Sequence, residues 1–499
     1  MKRVVALMLV VLLGLPLLAG CDGDDGGGEP SDTFVFITMV GSDSLDPTGG
    51  ANPDKPVMHA IYSSLLAFAP DGTIVPRLAE SFVMSDDGMS VYIQLRENVR
   101  FHNGEILTAD DVIYTFDVKF AEPRTQFLMQ FIAGYEKIDD LTVRFDKVAS
   151  FSQILNILAE FSQIVPREAH SSDPVAFNSA PIGAGPYRFV SQGIDGSVHL
   201  EAFDDYFGEA PGFRYVTVRG PLETAASIIA LETGEADMIA MVPLAYASQV
   251  RANPDLTIVI EESWSKFTLL MMHPPLSTDM YLRRAIFHGI NRESAIILGN
   301  DGIGEPATEL FSTRIMGDYA GMVSFEGFNE ELARYYVEKS DYTGEEIVLH
   351  MTGFAPLAES VAADLRRIGI NFRIEMLDFG SWVTLLMGGE MQLMLAELGT
   401  NMISPIDMLV MFASSDPIYG VNMEHNEEFD NIMAEIMVTR DDAARRELLA
   451  QALELSVYLA NIVPLFDVPM AFAFGPAVTY EYAISGPTYV FYLARVMPR

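Results

Sequence analysis

The sequence predicts an α/β protein built from more than one structural unit. Three observations carry that prediction. The chain has 499 residues, enough for about three units of ordinary domain size. From Asn329 onward, helical and strand-like stretches alternate repeatedly, the pattern of an α/β layer. Between Pro76 and Asp117, a short helical turn, two strands separated by turns and a capped helix follow in close succession.

Composition narrows the function. Hydrophobic residues make up 49% and charged residues 20%, a globular balance. The formal charge of −38 excludes nucleic acid, whose phosphates need a basic surface, and adhesion to anionic lipid. Such an excess suits a soluble exported surface, and a salt-adapted source would also produce it.

The N-terminus reads as an export signal. Lys2 and Arg3 precede an apolar run from Val4 to Leu18 that is short for a membrane span and ends in small residues. Leu18-Ala19-Gly20-Cys21 has the form of a lipobox, so Cys21 is expected to be lipidated. It is also the single cysteine, which leaves no partner for a disulfide. Asp22 to Pro30 (DGDDGGGEP) then forms a flexible acidic tether. No later stretch is apolar and long enough to span a bilayer, so one lipid anchor is the expected membrane contact.

The mature chain begins with an apolar strand, Thr33 to Val40, and a loop, Gly41 to Pro47. Ser85-Asp86-Asp87-Gly88 is turn chemistry, with a glycine free to take positive φ. Val91, Ile93 and Leu95 alternate with polar residues, the period of a half-buried strand. Thr108 is placed as an N-cap with Asp111 at the third helical position, and Val112, Ile113 and Phe116 supply the apolar stripe. Helices are expected near Ala109–Phe120 and Phe151–Phe161. The Gly183-Ala184-Gly185 pair runs on into strand from Pro186 to Val190, not into a helix, which rejects a nucleotide loop. Glu223 to Asp237 is a helix stopped at Gly234. An apolar strand around Trp264 spans Val259 to Met272. Helix to Lys339, strand Glu346–Met351, helix Pro356–Ile368 and strand Ile370–Leu377 follow. Asn426 to Leu459 reads as helical and Val463 to Phe466 as a return strand.

The run RLAESF…SDDG…QLRENVRFHNGEILTADDVIYTF is similar to the strongest motif of bacterial extracellular solute-binding proteins of family 5, the peptide and nickel binders of ABC importers. GAGPY at Gly183–Tyr187 resembles that family's GTGPY turn, with Ala184 in place of threonine. Asp279 to Ile286 resembles its crossover between lobes, and Asp430, Arg445 and Arg446 fit its C-terminal helical pattern. The resemblance covers almost the whole mature chain. It implies a two-lobed periplasmic-binding-protein type II fold, with an extra subdomain in the first lobe and a hinge between lobes. The expected organisation is a signal peptide at 1–20 and a tether at 21–32. A first lobe follows at 33–262, its extra subdomain at about 71–175. The second lobe is 263–466, and 467–499 returns to the first. The two crossovers are expected side by side.

No catalytic set is legible. The sequence has no G-x-S-x-G, H-E-x-x-H or C-x-x-C motif, and its eight histidines never share an i, i+4 spacing. The leading expectation is therefore a lipid-anchored, monomeric solute-binding subunit, with no cofactor or metal, held at the outer face of the cytoplasmic membrane. It would deliver an oligopeptide or related solute to an ABC permease and ATPase complex. A ligand sensor presenting its closed form to a receptor is the alternative, and a hydrolase a more distant one.

The resemblance also suggests a site. Dipeptide binders of the family hold the ligand ammonium with an aspartate in a loop that matches Gly399–Pro405 here, and the carboxylate with an arginine on the strand matching Ile347–Thr352. This chain has Thr400 and Asn401 near the acid position and no arginine on that strand, with Glu397 in reserve. Gly41 and Ser42, in the loop opening onto the family's cleft, Trp264 near the crossover and Met402 in the loop complete the expected ligand set. The surrounding methionines (Met387, Met391, Met394, Met408, Met411) are read as core. Without the two charged anchors, the expected ligand is larger or less charged than a dipeptide.

Overall fold

Runs of β-branched and aromatic residues form the strands of this computed structural model, which describes residues 32–499 apart from 39–40, 42–43, 50–54, 70–71, 87, 123–124, 126–128, 130, 148–150, 399–403, 414–425, 440 and 481–491. The signal, Cys21 and the tether therefore lie outside the described residues. In chain order the strands begin with β1 (Thr33–Ile37), a hairpin of β2 (Leu66–Phe68) and β3 (Ile74–Pro76), and β4 (Ala79–Met84), β5 (Ser90–Leu95), β6 (Ile132–Asp139) and β7 (Thr142–Lys147). Next come β8 (Tyr187–Gln192), β9 (Val198–Ala202), β10 (Tyr215–Arg219), β11 (Met238–Ile239) and the long β12 (Thr257–Met271). The remainder are β13 (Ile347–Met351), β14 (Phe372–Met376), β15 (Leu393–Leu398), the long β16 (Ile462–Phe474), β17 (Val478–Tyr480) and β18 (Val496–Pro498).

Ten strands share one sheet in the order β14-β13-β15-β12-β16-β11-β1-β10-β9-β8, while β4, β5, β7 and β6 make a separate four-stranded antiparallel sheet. In that smaller sheet Val91, Ile93 and Leu95 are fully buried, as the alternation in β5 predicts. Its turn has Gly88 at φ 69°, a backbone conformation that favours glycine. Helix α1 (Ala109–Ala121) covers one face, and its buried Phe116 meets Phe145 of β7 edge-on at 4.8 Å. Burying one such ring contributes about 2–3 kcal/mol. The Asp111 carboxylate accepts the Thr108 N–H at 2.9 Å, the reciprocal half of a capping box.

His102 ties this hairpin to the GAGPY turn. Its Nδ1 accepts the Gly183 N–H at 3.3 Å, and its Nε2 lies 3.0 Å from the Gly185 carbonyl, so Nε2 carries the proton. Burial pulls the imidazole down to about 4, which keeps that tautomer neutral. A side chain at Gly183 would overlap the Ile61 carbonyl, which explains glycine there.

In the C-terminal half, α2 (Thr313–Met316) follows β12 after two intervening helices, α3 is Glu330–Lys339 and α4 (Ala355–Arg367) follows β13. Helix α5 is Pro405–Phe412. The stretch 426–459 is not one helix but two, α6 (Glu427–Val438) and α7 (Asp442–Leu459). The reason is a second cap: Asp441 takes extended geometry and its carboxylate accepts the Ala444 N–H at 2.8 Å. Among the described residues no helix is long and apolar enough to cross a membrane.

Candidate functional site

Strand direction decides where a ligand can bind. β1 runs parallel to β10 and β11, with Phe36 opposite Met238. β13 runs parallel to β14 and β15. Loops leave the carboxyl ends of such strands, where open α/β sheets place their binding crevices. β11 and β15 both end against one feature, the antiparallel pair β12 and β16. The first half of β12 pairs with Pro469–Phe474 and the second with Ile462–Asp467, and the register shifts between Glu262 and Lys266. β15 ends there, with Glu397 opposite Phe267 and Leu398 opposite Lys266. From the other side the chain leaving β11 runs beside β16, with the Val242 N–H donating to the Ala471 carbonyl at 2.8 Å.

Each side of this crevice carries one exposed apolar residue on left-handed backbone. Met241, just after β11, has φ 50°, and Phe354, just after β13, has φ 57°. Non-glycine residues seldom adopt this conformation, and such strain concentrates at binding sites. Phe354 meets Phe267 of the crossover edge-on at 4.6 Å.

Leu45 to Pro47, later in the chain after β1, are held by distant side chains. Asn178 Oδ1 accepts from Leu45 N–H at 2.8 Å and Asp46 N–H at 3.0 Å, and Lys119 donates to the Pro47 carbonyl at 2.6 Å. Asp46 lies 3.0 Å from His170 Nε2 and accepts both the N–H and hydroxyl of Thr48. Burial pushes its carboxyl up, but the bonds from His170 and Thr48 outweigh burial and hold it below the usual range. Burial lowers Lys119 to about 8, against the attraction of Asp46.

The crossover itself is polar inside. Lys266 is 2% exposed, pairs with Asp467 at 3.1 Å and donates to the Glu309 carbonyl at 3.0 Å. One partner comes from each long strand. Burial lowers the Lys266 ammonium from its usual value, opposed by Asp467. Trp264, in the shifted segment, packs on the β2–β3 turn, where a Cβ at Gly72 would lie 2.6 Å from the indole. Its Nε1 is buried without a partner among the described residues, an unmet donor that costs about 1–3 kcal/mol.

Beside Trp264 lies an open cavity of about 620 Å³. The Trp264 carbonyl accepts the Ser312 hydroxyl at 2.7 Å, and Ser312 caps α2. Arg314, Ile315 and Met316 of α2 form one wall, Asp318 and Tyr319 a second, Ser404 and Pro405 at the start of α5 a third, and Arg445 and Arg446 of α7 a fourth. Three arginines thus line one space. The helical pattern places Arg445 and Arg446 in framework, and Arg314, Met241 and Phe354 are not among the residues expected from the sequence. Nothing local in the sequence marks any of them as facing a crevice.

Of the expected ligand residues, Gly41 sits half-buried in the loop after β1 and Glu397 half-buried near the end of β15. Trp264 is 9% exposed, so it is packed under the crevice more than it lines it. Ser42, Thr400, Asn401 and Met402 lie outside the described residues. Met391, Met394 and Met408 are buried, as expected of core methionines. β13 carries no arginine, as the sequence reads, and its His350 lies 3.8 Å from Glu375. No group of three potential metal-ligating side chains occurs among the described residues.

Comparison with known proteins agrees with this geometry. The family model for "Bacterial extracellular solute-binding proteins, family 5 Middle" matches residues 73–420. The Di/tripeptide-binding protein 2 of Pseudomonas aeruginosa is 27% identical over 411 residues, covering 73% of this chain and 75% of the relative. The glutathione-binding protein GsiB of Pectobacterium atrosepticum is 25% identical over 361 residues, 69% of each chain. Among solved structures, the periplasmic binding protein DppA of Helicobacter pylori in complex with the peptide STSA superposes with a TM-score of 0.80 at 20% identity, covering 94% of this chain and 98% of that one. At that identity the likeness establishes the periplasmic-binding-protein fold.

Proposed function

Because the chain belongs to the bacterial extracellular solute-binding proteins of family 5 and serves as the substrate-binding subunit of an ABC importer, we propose that the solute it captures is a peptide of more than two residues. The observation that supports this reading is the meeting of two sets of parallel strands, ending in β11 and β15, on the paired strands β12 and β16. Residues 33–262 with 467–499 act as one lobe, the 71–175 segment being its extra subdomain, and 263–466 as the other. Closure then turns about Ser263–Ser265, where the ladder shifts register. The ligand lies against Gly41 and Ser42 on one side and Glu397, Thr400, Asn401 and Met402 on the other. Trp264 Nε1 supplies a buried donor from below. Peptide is the class that the named relatives favour, and the family match supports import over sensing or hydrolysis.

Native mass spectrometry of protein purified without denaturation tests the ligand, and small-angle scattering with that ligand tests closure. A co-purified peptide and measurable compaction are expected. A scattering profile unchanged at saturation would refute the hinged binder. The protein is exported, and we place it on the membrane as a monomer through lipid on Cys21. Replacing Cys21 with alanine should abolish labelling by a fatty-acid probe, and undiminished labelling would end that assignment.

A further inference from the structure

We infer that Arg292, buried beside the crossover of β12 and β16, binds a monatomic anion, chloride under the conditions an exported protein meets. The site is separate from the ligand residues expected from the sequence and does not depend on which solute the protein captures.

The inference starts from an unanswered charge. Arg292 opens the helix Arg292–Gly299 and is 3% exposed. Its Nε donates to the Pro464 carbonyl of β16 at 2.7 Å. Nη1 and Nη2 are buried and have no hydrogen-bond partner among the described residues. Each of these nitrogens carries two N–H donors, so the open edge of the fork is unmet. No carboxylate offsets the charge: burial alone shifts this guanidinium, down to about 10. It is still ionised at neutral pH, and a buried charge is costly to a fold unless a counter-charge accompanies it.

The neighbours favour an ion over water. The guanidinium carbon lies 5.2 Å from the Phe287 ring centre and 5.4 Å from that of Phe325. Such rings attract a cation through their faces but carry no net charge. A water molecule would accept the donors without neutralising Arg292, and it would find few further partners against two phenyl rings. A second cation is close by. Burial first, and Arg292 as a like charge after it, lower the ammonium of Lys266, itself 2% exposed. Asp467 and the Glu309 carbonyl answer Lys266, which leaves Arg292 as the uncompensated member of the pair. Because both Nη groups are closed to solvent, a monatomic ion suits the space better than sulfate or phosphate.

Placement gives the ion a role. The pairs Lys266–Asp467 and Thr268–Pro464 flank the register shift between Phe267 and Thr268. An anion on Arg292 would therefore brace the crossover where its ladder is irregular, joining the helix Arg292–Gly299 to β16.

Two measurements on the mature protein test this. Crystals grown in sodium bromide, with data collected at the bromine edge, should show an anomalous peak within hydrogen-bond distance of Arg292 Nη1 or Nη2. A water there without anomalous signal, or no density at all, overturns the inference. In solution, the thermal midpoint is read in sodium gluconate and again with chloride replacing gluconate at constant ionic strength. Chloride should raise the wild-type midpoint by about 2 °C or more. Arg292→Met removes the charge and should abolish that rise. Arg373→Gln, which removes an exposed arginine paired with Glu346 and Glu375, should keep it. No rise in wild type, or an equal rise in Arg292→Met, overturns the assignment. The diffraction measurement needs no variant, so it decides the question even if Arg292→Met fails to fold.

Discussion

Acidification from about pH 7 to about pH 4 should cost the protein about 3 kcal/mol through His102 alone. In the folded chain its Nδ1 accepts the Gly183 N–H and its Nε2 proton is given to the Gly185 carbonyl. A second proton on Nδ1 would set two N–H groups against each other. The folded imidazole accordingly titrates at about 4 against 6.5 for the ordinary group. Between those values the unfolded chain binds a proton that the folded chain does not. The stability from this group is thus complete above 6.5 and lost as the pH falls towards 4. Urea denaturation of wild type and His102→Gln across this range isolates the effect, since the carboxylates titrate alike in both. Wild type should lose about 3 kcal/mol more than the variant. Equal slopes, within about 0.5 kcal/mol, would refute the neutral-tautomer argument.

Three other outcomes follow from the same kind of reasoning. Asp467→Asn strands the buried Lys266 ammonium and should cost about 2–3 kcal/mol in chemical denaturation, below the full buried-pair penalty because Asp467 is 31% exposed. The double change Lys266→Met with Asp467→Leu should recover most of it. Gly183→Ala drives a methyl into the Ile61 carbonyl and should cost more than about 2 kcal/mol, read as a lowered urea midpoint. Lys119, buried and titrating at about 8, has its folded value below the ordinary 10.5. Wild-type stability should therefore rise by about 3 kcal/mol from pH 8 to beyond 10, a rise that Lys119→Met removes.

What the sequence made legible was local. The alternation of Val91, Ile93 and Leu95, the Thr108–Asp111 cap and the stop at Gly234 depend on neighbours within a few residues, and each stands in the structure. The split at 439–441 was missed because the apolar period runs on across it, and only the Asp441 cap gives it away. The candidate site residues Gly41 and Glu397 rest on resemblance alone, and the cavity lined by Arg314, Arg445 and Arg446 joins residues far apart in the chain, brought together by packing that no local pattern announces. Met241 and Phe354 carry no sign of their left-handed backbone, since neither residue type favours it.

The order of strands in the large sheet also sets when the protein can finish folding. Thr33 must wait for Tyr215, and Met238 for Phe474, before either finds its neighbour. The small sheet of β4 to β7 has all its partners within one short span and can assemble alone. A chain made from its N-terminus therefore leaves β1 unpaired until Tyr215 is reached, and the large sheet incomplete until Phe474. Pairings this distant close slowly.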